Sequence, residues 1–129
     1  MAIAYWCILI AAVLPYVWVA IAKAGPKYDN RDPRAWLAKQ DNPRAHRANN
    51  AQLNAFEAFA PFAASVLMAQ WAGVDPQRIG WFAIAFVVFR IGHGAFYVAN
   101  NHAMRSLVWF GAFACVLALM GQAALKIAG

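Results

Sequence analysis

Charged side chains are scarce in this sequence: they make up 12% of its 129 residues, and only five of them are acidic. An average soluble domain carries about 25% charged residues, and the apolar share of this chain is 64%. The composition therefore excludes an ordinary soluble domain and predicts a membrane protein with several spans. Almost no sequence is left for an extramembrane unit, so we expect residues 1–129 to form a single membrane domain.

Cysteine is scarce too, and both residues, Cys7 and Cys115, lie deep inside apolar stretches. They form no Cys-x-x-Cys motif, and no histidine follows them at a zinc-ligand spacing. We interpret the two thiols as small core residues. No metal site is predicted, because His93 and Glu57, the best candidate ligands, lack a third partner at the same depth.

Long apolar stretches are the main feature of the chain. Residues 1–22, 58–74 and 106–125 contain no charge, and residues 79–104 contain only Arg90. About 20 apolar residues cross a bilayer as a helix, and the second stretch reaches that length once the turns through Asn54 and Glu57 are added. We therefore expect an all-α integral membrane four-helix bundle, with spans at about residues 2–23, 43–72 and 76–99 and a last span from near Arg105.

The first stretch has aromatic residues near both ends, which is typical of anchors at the membrane interface. These residues are Tyr5, Trp6, Tyr16 and Trp18. A cleavable signal peptide is the alternative interpretation of this stretch. We disfavour it because the apolar run is too long and no basic residue precedes it.

The basic residues are concentrated in one connection: seven of the eleven lie between residues 23 and 47. The positive-inside rule places this connection in the cytoplasm and both termini on the opposite side, which means the inner membrane in a bacterial cell. Membrane lipids account for such a basic surface, so no nucleic-acid partner is predicted. Prolines at 26, 33 and 43 predict a structured loop at 24–45, with a helical turn at 35–39.

A polar stripe marks the start of the second span. Arg47, Asn50, Asn54 and Glu57 follow one another at spacings of three, four and three, so they share one face of a helix. A carboxylate inside a membrane segment is costly unless it faces protein or a water-filled cavity. The stripe is therefore the first candidate for a functional site.

The third span carries a second polar set at the same depth, at spacings of three and four, and Arg44 and Arg105 lie at the same end of the bundle. The set consists of Arg90, His93 and Tyr97. Several guanidinium groups with one carboxylate suit a small zwitterion that has more carboxylates than amines. The alternative is structural: Glu57 neutralises Arg90 inside the bundle, and Arg105 reaches toward the lipid headgroups.

These motifs resemble the superfamily of membrane-associated proteins in eicosanoid and glutathione metabolism (MAPEG), which includes microsomal glutathione transferases and leukotriene-forming synthases. The resemblance covers the whole chain in length and four-span layout. It rests on Asn50-Ala-Gln-Leu-Asn54-Ala-Phe-Glu57, on Phe59-Ala-Pro61-Phe62, and on Arg90-Ile-Gly-His93-Gly-Ala-Phe-Tyr97 followed by Arg105.

The resemblance implies a homotrimer that binds glutathione between neighbouring subunits near the cytoplasmic face. It assigns glutathione contacts to the two polar sets and thiolate stabilisation to Arg105, with Tyr97 as the second catalytic residue. The implied glutathione contacts are Arg47, Asn50, Asn54, Glu57, Arg90, His93 and Tyr97. The implied reaction is transfer of glutathione to a lipophilic small molecule from the bilayer, or reduction of a peroxide.

One departure from the family pattern concerns Asn50, because the family has an arginine at that position. The missing cation weakens carboxylate binding by about 1.5–3 kcal/mol unless Arg47 or Arg44 replaces it. The alternative function is therefore a non-catalytic protein of the same fold that binds another small anion or a lipid headgroup. A channel or half-transporter is disfavoured, since the sequence has no interrupted apolar helix and no inverted repeat.

Overall fold

A computed structural model describes residues 1–25 and 27–129, so Pro26 lies outside the described residues. The described chain forms five helices and no strand, which confirms the all-α prediction. The helices are α1 (Ala2–Ala22), α2 (Pro33–Ala38), α3 (Pro43–Trp71), α4 (Pro76–Val98) and α5 (His102–Ala128). The predicted turn in the basic connection is α2. The predicted bounds of the long helices also agree, except that α5 begins before Arg105.

Side-chain caps fix where the helices begin. Asp32, Asn42, Asp75 and Asn101 precede the last four helices, and each accepts a hydrogen bond from a backbone N–H of the first turn. Asn101 is the reason why α5 begins at His102. The residue before it, Asn100, has a φ of 61° and ends α4 in the left-handed region that asparagine tolerates.

The core lies between α3 and its neighbours, because α3 packs against α1, α4 and α5. The ring of Phe62 on α3 stacks on that of Phe86 on α4, with centroids 3.9 Å apart. Cys7 and Cys115 are buried in the same core as free thiols, which confirms their interpretation as core residues.

Three helices, α1, α4 and α5, are long and apolar enough to cross a membrane. They indicate an integral membrane protein. The expected fourth span, α3, does not meet this criterion, because its first half carries the polar stripe. A spanning α3 therefore stays a prediction.

Trp18 corrects one expectation from the sequence. Tyr5, Trp6 and Tyr16 are exposed, as expected of anchors, but Trp18 is only 7% exposed. Its indole lies against the backbone of α4 at Gly94, where a methyl group would overlap the ring. Trp18 is therefore a packing residue, and glycine at 94 permits the close approach of α1 and α4.

Candidate functional site

The polar stripe lies on a face of α3 that the single chain leaves partly open. Asn50 and Glu57 are exposed, whereas Arg47 and Asn54 are half-buried. Other faces of the same helix are covered by alanines that allow close packing, namely Ala45, Ala48, Ala51 and Ala55. The sequence thus separates a small, buried face of α3 from a polar face available to a ligand or another protein surface.

A chain of hydrogen bonds joins this stripe to α4. The guanidinium of Arg90, only 3% exposed, donates from Nη2 to Oδ1 of Asn54 at 2.7 Å. Asn54 in turn donates from Nδ2 to Oε2 of Glu57 over a longer 3.4 Å. Within the described residues Glu57 makes no ion pair with Arg90. The ion pair between Glu57 and Arg90, which was the structural alternative, is therefore not formed. Instead, the side-chain amide of Asn54 lies between the two charged groups.

A cavity of about 160 Å³ opens beside this chain, between α3, α4 and α5. Asn54, Glu57 and Arg90 form its polar part, and the remaining lining is apolar. The aromatic lining residues on α5 are Trp109 and Phe113, whose rings stack 5.3 Å apart. Neither residue was predicted from the sequence, although both follow Arg105 at successive spacings of four and so share its helix face.

A second cluster lies one turn further along α4 and continues onto α5. The ring of His93 meets that of Tyr97 edge-on at 5.6 Å, and the guanidinium of Arg105 lies 4.5 Å from the centre of the Tyr97 ring. A cation over an aromatic face is attracted to it and held in place. His93 is 3% exposed, and its Nδ1 has no partner among the described residues. None of these three side chains lines the 160 Å³ cavity.

The remaining predicted residues do not line the 160 Å³ cavity. Arg47 donates from Nε to the carbonyl of Val98 at 3.2 Å and so ties α3 to the last turn of α4. Arg44 is exposed and lines a separate groove with Trp36. Asn50 makes no side-chain hydrogen bond in the part of the chain that the structure describes. Only Nε of Arg47 is engaged by the Val98 carbonyl, so replacement of the missing cation at 50 by Arg47 stays a prediction.

The chain matches the pattern of a known protein family. The pattern of the MAPEG family covers residues 3–125, which is nearly the whole chain. Members of that family include glutathione transferases and related enzymes. A comparison with curated proteins gave no match.

Proposed function

The chain belongs to the MAPEG family, and from this membership we propose that it binds glutathione within a homotrimer of four-span subunits. The proposed activity is glutathione transfer to lipophilic electrophiles, or reduction of lipophilic peroxides, at the cytoplasmic end of the bundle. The basic connection between α1 and α3 supports this orientation through the positive-inside rule.

The observation that carries the proposal is the exposed carboxylate of Glu57, linked through Asn54 to the buried Arg90. A carboxylate that faces lipid is costly, so this face of α3 requires a polar cover. A neighbouring copy and a zwitterionic ligand between the two copies provide that cover.

The charged side chains of the site are complementary to the charged groups of glutathione. Glutathione carries two carboxylates and one ammonium group, and Glu57 is the acceptor for the ammonium. Arg90 is already bonded to Asn54 through one nitrogen, which leaves its other donors for a carboxylate. The unpartnered Nδ1 of His93 is a further polar atom that a bound ligand satisfies.

The cluster on α4 and α5 suits the chemistry of a thiol. When bound, glutathione supplies the nucleophilic sulfur, which reacts as the thiolate rather than as the thiol. Arg105 stabilises the negative charge at the sulfur, and the Tyr97 ring holds the guanidinium in position. The Tyr97 hydroxyl donates a hydrogen bond to the sulfur or to the substrate. The apolar part of the 160 Å³ cavity, which Trp109 lines, receives part of the electrophile.

A calorimetric titration of the detergent-purified protein with glutathione tests the proposal. We expect saturable binding that Glu57→Gln weakens about tenfold, the equivalent of one charge-assisted hydrogen bond. Arg78→Gln is the matched control, because Arg78 is an exposed charge at the opposite end of α4. Absence of binding in the native protein would refute the proposal.

A second candidate function is supported by Asn50, which is exposed and supplies no cation. In that case the same fold binds another small anion and performs no catalysis. Turnover measured with a panel of lipophilic electrophiles and peroxides separates the two functions. Absence of both glutathione binding and turnover favours the non-catalytic protein.

A further inference from the structure

A second, larger cavity of about 580 Å³ lies between α1, α2 and α3, at the end of the bundle where α1 ends. One part of its lining is apolar and consists of Val19, Leu37, Ala38 and Leu53, with Pro33. The rest of the lining is polar, without a carboxylate, and consists of Lys23, Arg34, His46, Asn49 and Gln52. None of the residues assigned above to glutathione lines this cavity.

Within the described residues, the two cations of the cavity form no ion pair with a carboxylate. Lys23 is the C-cap of α1, and its ammonium lies 5.4 Å from the centre of the Tyr28 ring. Arg34, on α2, is exposed and makes no ion pair within the described residues. The nearest acidic residues in sequence have other partners: Asp29 binds Arg31 through both oxygens, and Asp32 caps α2. The cavity therefore retains two positive charges for an anion.

The amide of Gln52 adds a second requirement. Its Oε1 is buried and has no hydrogen-bond partner among the described residues. Buried polar atoms in native proteins are almost always paired, and because Gln52 lines the cavity, a ligand there can supply the donor once the amide turns toward it. His46 does not supply it through Nε2, since that nitrogen bonds to the carbonyl of Gln40 at 2.6 Å.

The position of the cavity relates these charges to the membrane. α1 is an apolar helix that ends at Ala22, so Lys23 and the polar rim lie at the level where hydrocarbon gives way to headgroups. Leu53, half exposed, and Val19 continue the cavity wall toward the hydrocarbon. A ligand that fills the whole space has an anionic head, a hydrogen-bond donor and an apolar body.

We propose that this cavity binds one anionic phospholipid of the surrounding leaflet by its headgroup. Lys23 and Arg34 bind the phosphate oxygens, and Gln52 accepts from a headgroup hydroxyl. Val19, Leu37 and Leu53 contact the first part of the acyl chains. Inorganic phosphate offers Lys23 and Arg34 the same phosphoryl oxygens as a phospholipid headgroup. The apolar wall of the cavity favours the phospholipid, because only the lipid has acyl chains to contact that wall. The site does not depend on glutathione binding, because the two sets of residues are separate.

Native mass spectrometry of the delipidated protein in detergent tests the lipid site. The probes are a short-chain phosphatidylglycerol, the matching phosphatidylcholine and inorganic phosphate. We expect one phosphatidylglycerol per chain, bound about tenfold or more tightly than phosphatidylcholine, and weaker binding of inorganic phosphate. The double variant Lys23→Gln with Arg34→Gln is expected to lose about tenfold in affinity for phosphatidylglycerol, and Gln52→Leu to reduce its preference over phosphatidylcholine.

Two further variants control for net charge and for folding. Lys27→Gln with Lys39→Gln removes two cations from the same connection but none from the cavity, so binding is expected to stay at the native level. Lys23→Arg with Arg34→Lys keeps both charges and is expected to retain the lipid. If Lys23→Gln with Arg34→Gln binds phosphatidylglycerol like the native chain, the site is refuted.

Three other results also overturn the assignment. If phosphatidylglycerol and phosphatidylcholine bind equally well, the cavity does not select an anionic headgroup. If inorganic phosphate saturates the cavity at the same concentration as the lipid does, the ligand is free phosphate rather than a phospholipid. If glutathione affinity falls in Lys23→Gln with Arg34→Gln while lipid binding persists, the cavity belongs to the glutathione site of a neighbouring copy.

Discussion

Arg90 and Asn54 form a polar link between α4 and α3: the guanidinium donates to the amide oxygen at 2.7 Å. Because Asn54 is a neutral partner, Arg90 forms no ion pair within the described residues, and only the more distant charge of Glu57 acts on it. The guanidinium remains available to a carboxylate of a ligand, while Glu57 remains available to a cation.

Removal of the Asn54 amide is expected to destabilise the bundle. Asn54→Ala leaves a buried guanidinium without this acceptor, which costs about 1.5–3 kcal/mol of folding free energy. Asn54→Asp is the matched comparison, since a carboxylate satisfies Arg90 directly and retains most of the stability. Thermal unfolding in detergent measures both. A native-like midpoint for Asn54→Ala would show that Arg90 finds another partner.

Gly94 is expected to tolerate no side chain. Gly94→Ala places a methyl group against the rigid indole of Trp18 and costs about 1–3 kcal/mol, because either the ring or α1 must move. Gly121→Ala is the control, as no atom lies within 4 Å of a methyl group there. In a Trp18→Leu background the added cost of Gly94→Ala should shrink. An equal cost in both backgrounds contradicts the contact.

Arg47 is expected to hold the last turn of α4. The Val98 carbonyl is among the terminal carbonyls that an α-helix leaves unpaired, and Arg47 satisfies it. Arg47→Met should therefore accelerate hydrogen exchange of the amides around residue 98 and cost about 1.5–3 kcal/mol. Arg44→Met, on the same helix but in a different groove, should leave that exchange unchanged. Unaltered exchange in Arg47→Met would mean that the bond contributes nothing.

Trp109 is expected to limit the size of the electrophile. Trp109→Leu enlarges the 160 Å³ cavity on its apolar side without touching Asn54 or Glu57. The ratio of kcat/KM for bulky over compact electrophiles should rise about tenfold, with glutathione affinity unchanged. Leu117→Ala, an exposed change on the same helix, should not alter the ratio. A lower glutathione affinity in Trp109→Leu would show that the indole contacts glutathione rather than the electrophile.

Much of the fold follows from local sequence signals. Apolar length predicts α1, α4 and α5, and Asp75 before Pro76 marks where α4 begins, whereas Asn101 starts α5 earlier than the predicted start near Arg105. The partner of Arg90 does not follow from such signals. Opposite charge favours Glu57, but the register of α3 against α4, set by packing such as that of Phe62 on Phe86, brings Asn54 to the guanidinium.

The position of Trp18 depends in the same way on a distant residue. An aromatic near a helix end suits the membrane interface and the core equally well. Gly94, 76 positions later in the chain, leaves room for the indole inside the bundle. Trp109 and Phe113 are different, because their spacing from Arg105 is a local signal that predicts a shared face.

Stabilisation of the glutathione thiolate by Arg105 is measured by the ultraviolet absorbance of the thiolate on addition of glutathione to the protein at neutral pH. A free thiol with a pKa of about 8.5 is only a few per cent ionised there. We predict close to one thiolate per occupied site in the native protein. Arg105→Gln should reduce the signal to the level of free glutathione, and Arg105→Lys should retain part of it. Saturable glutathione binding with no thiolate signal, or an undiminished signal in Arg105→Gln, would contradict the account.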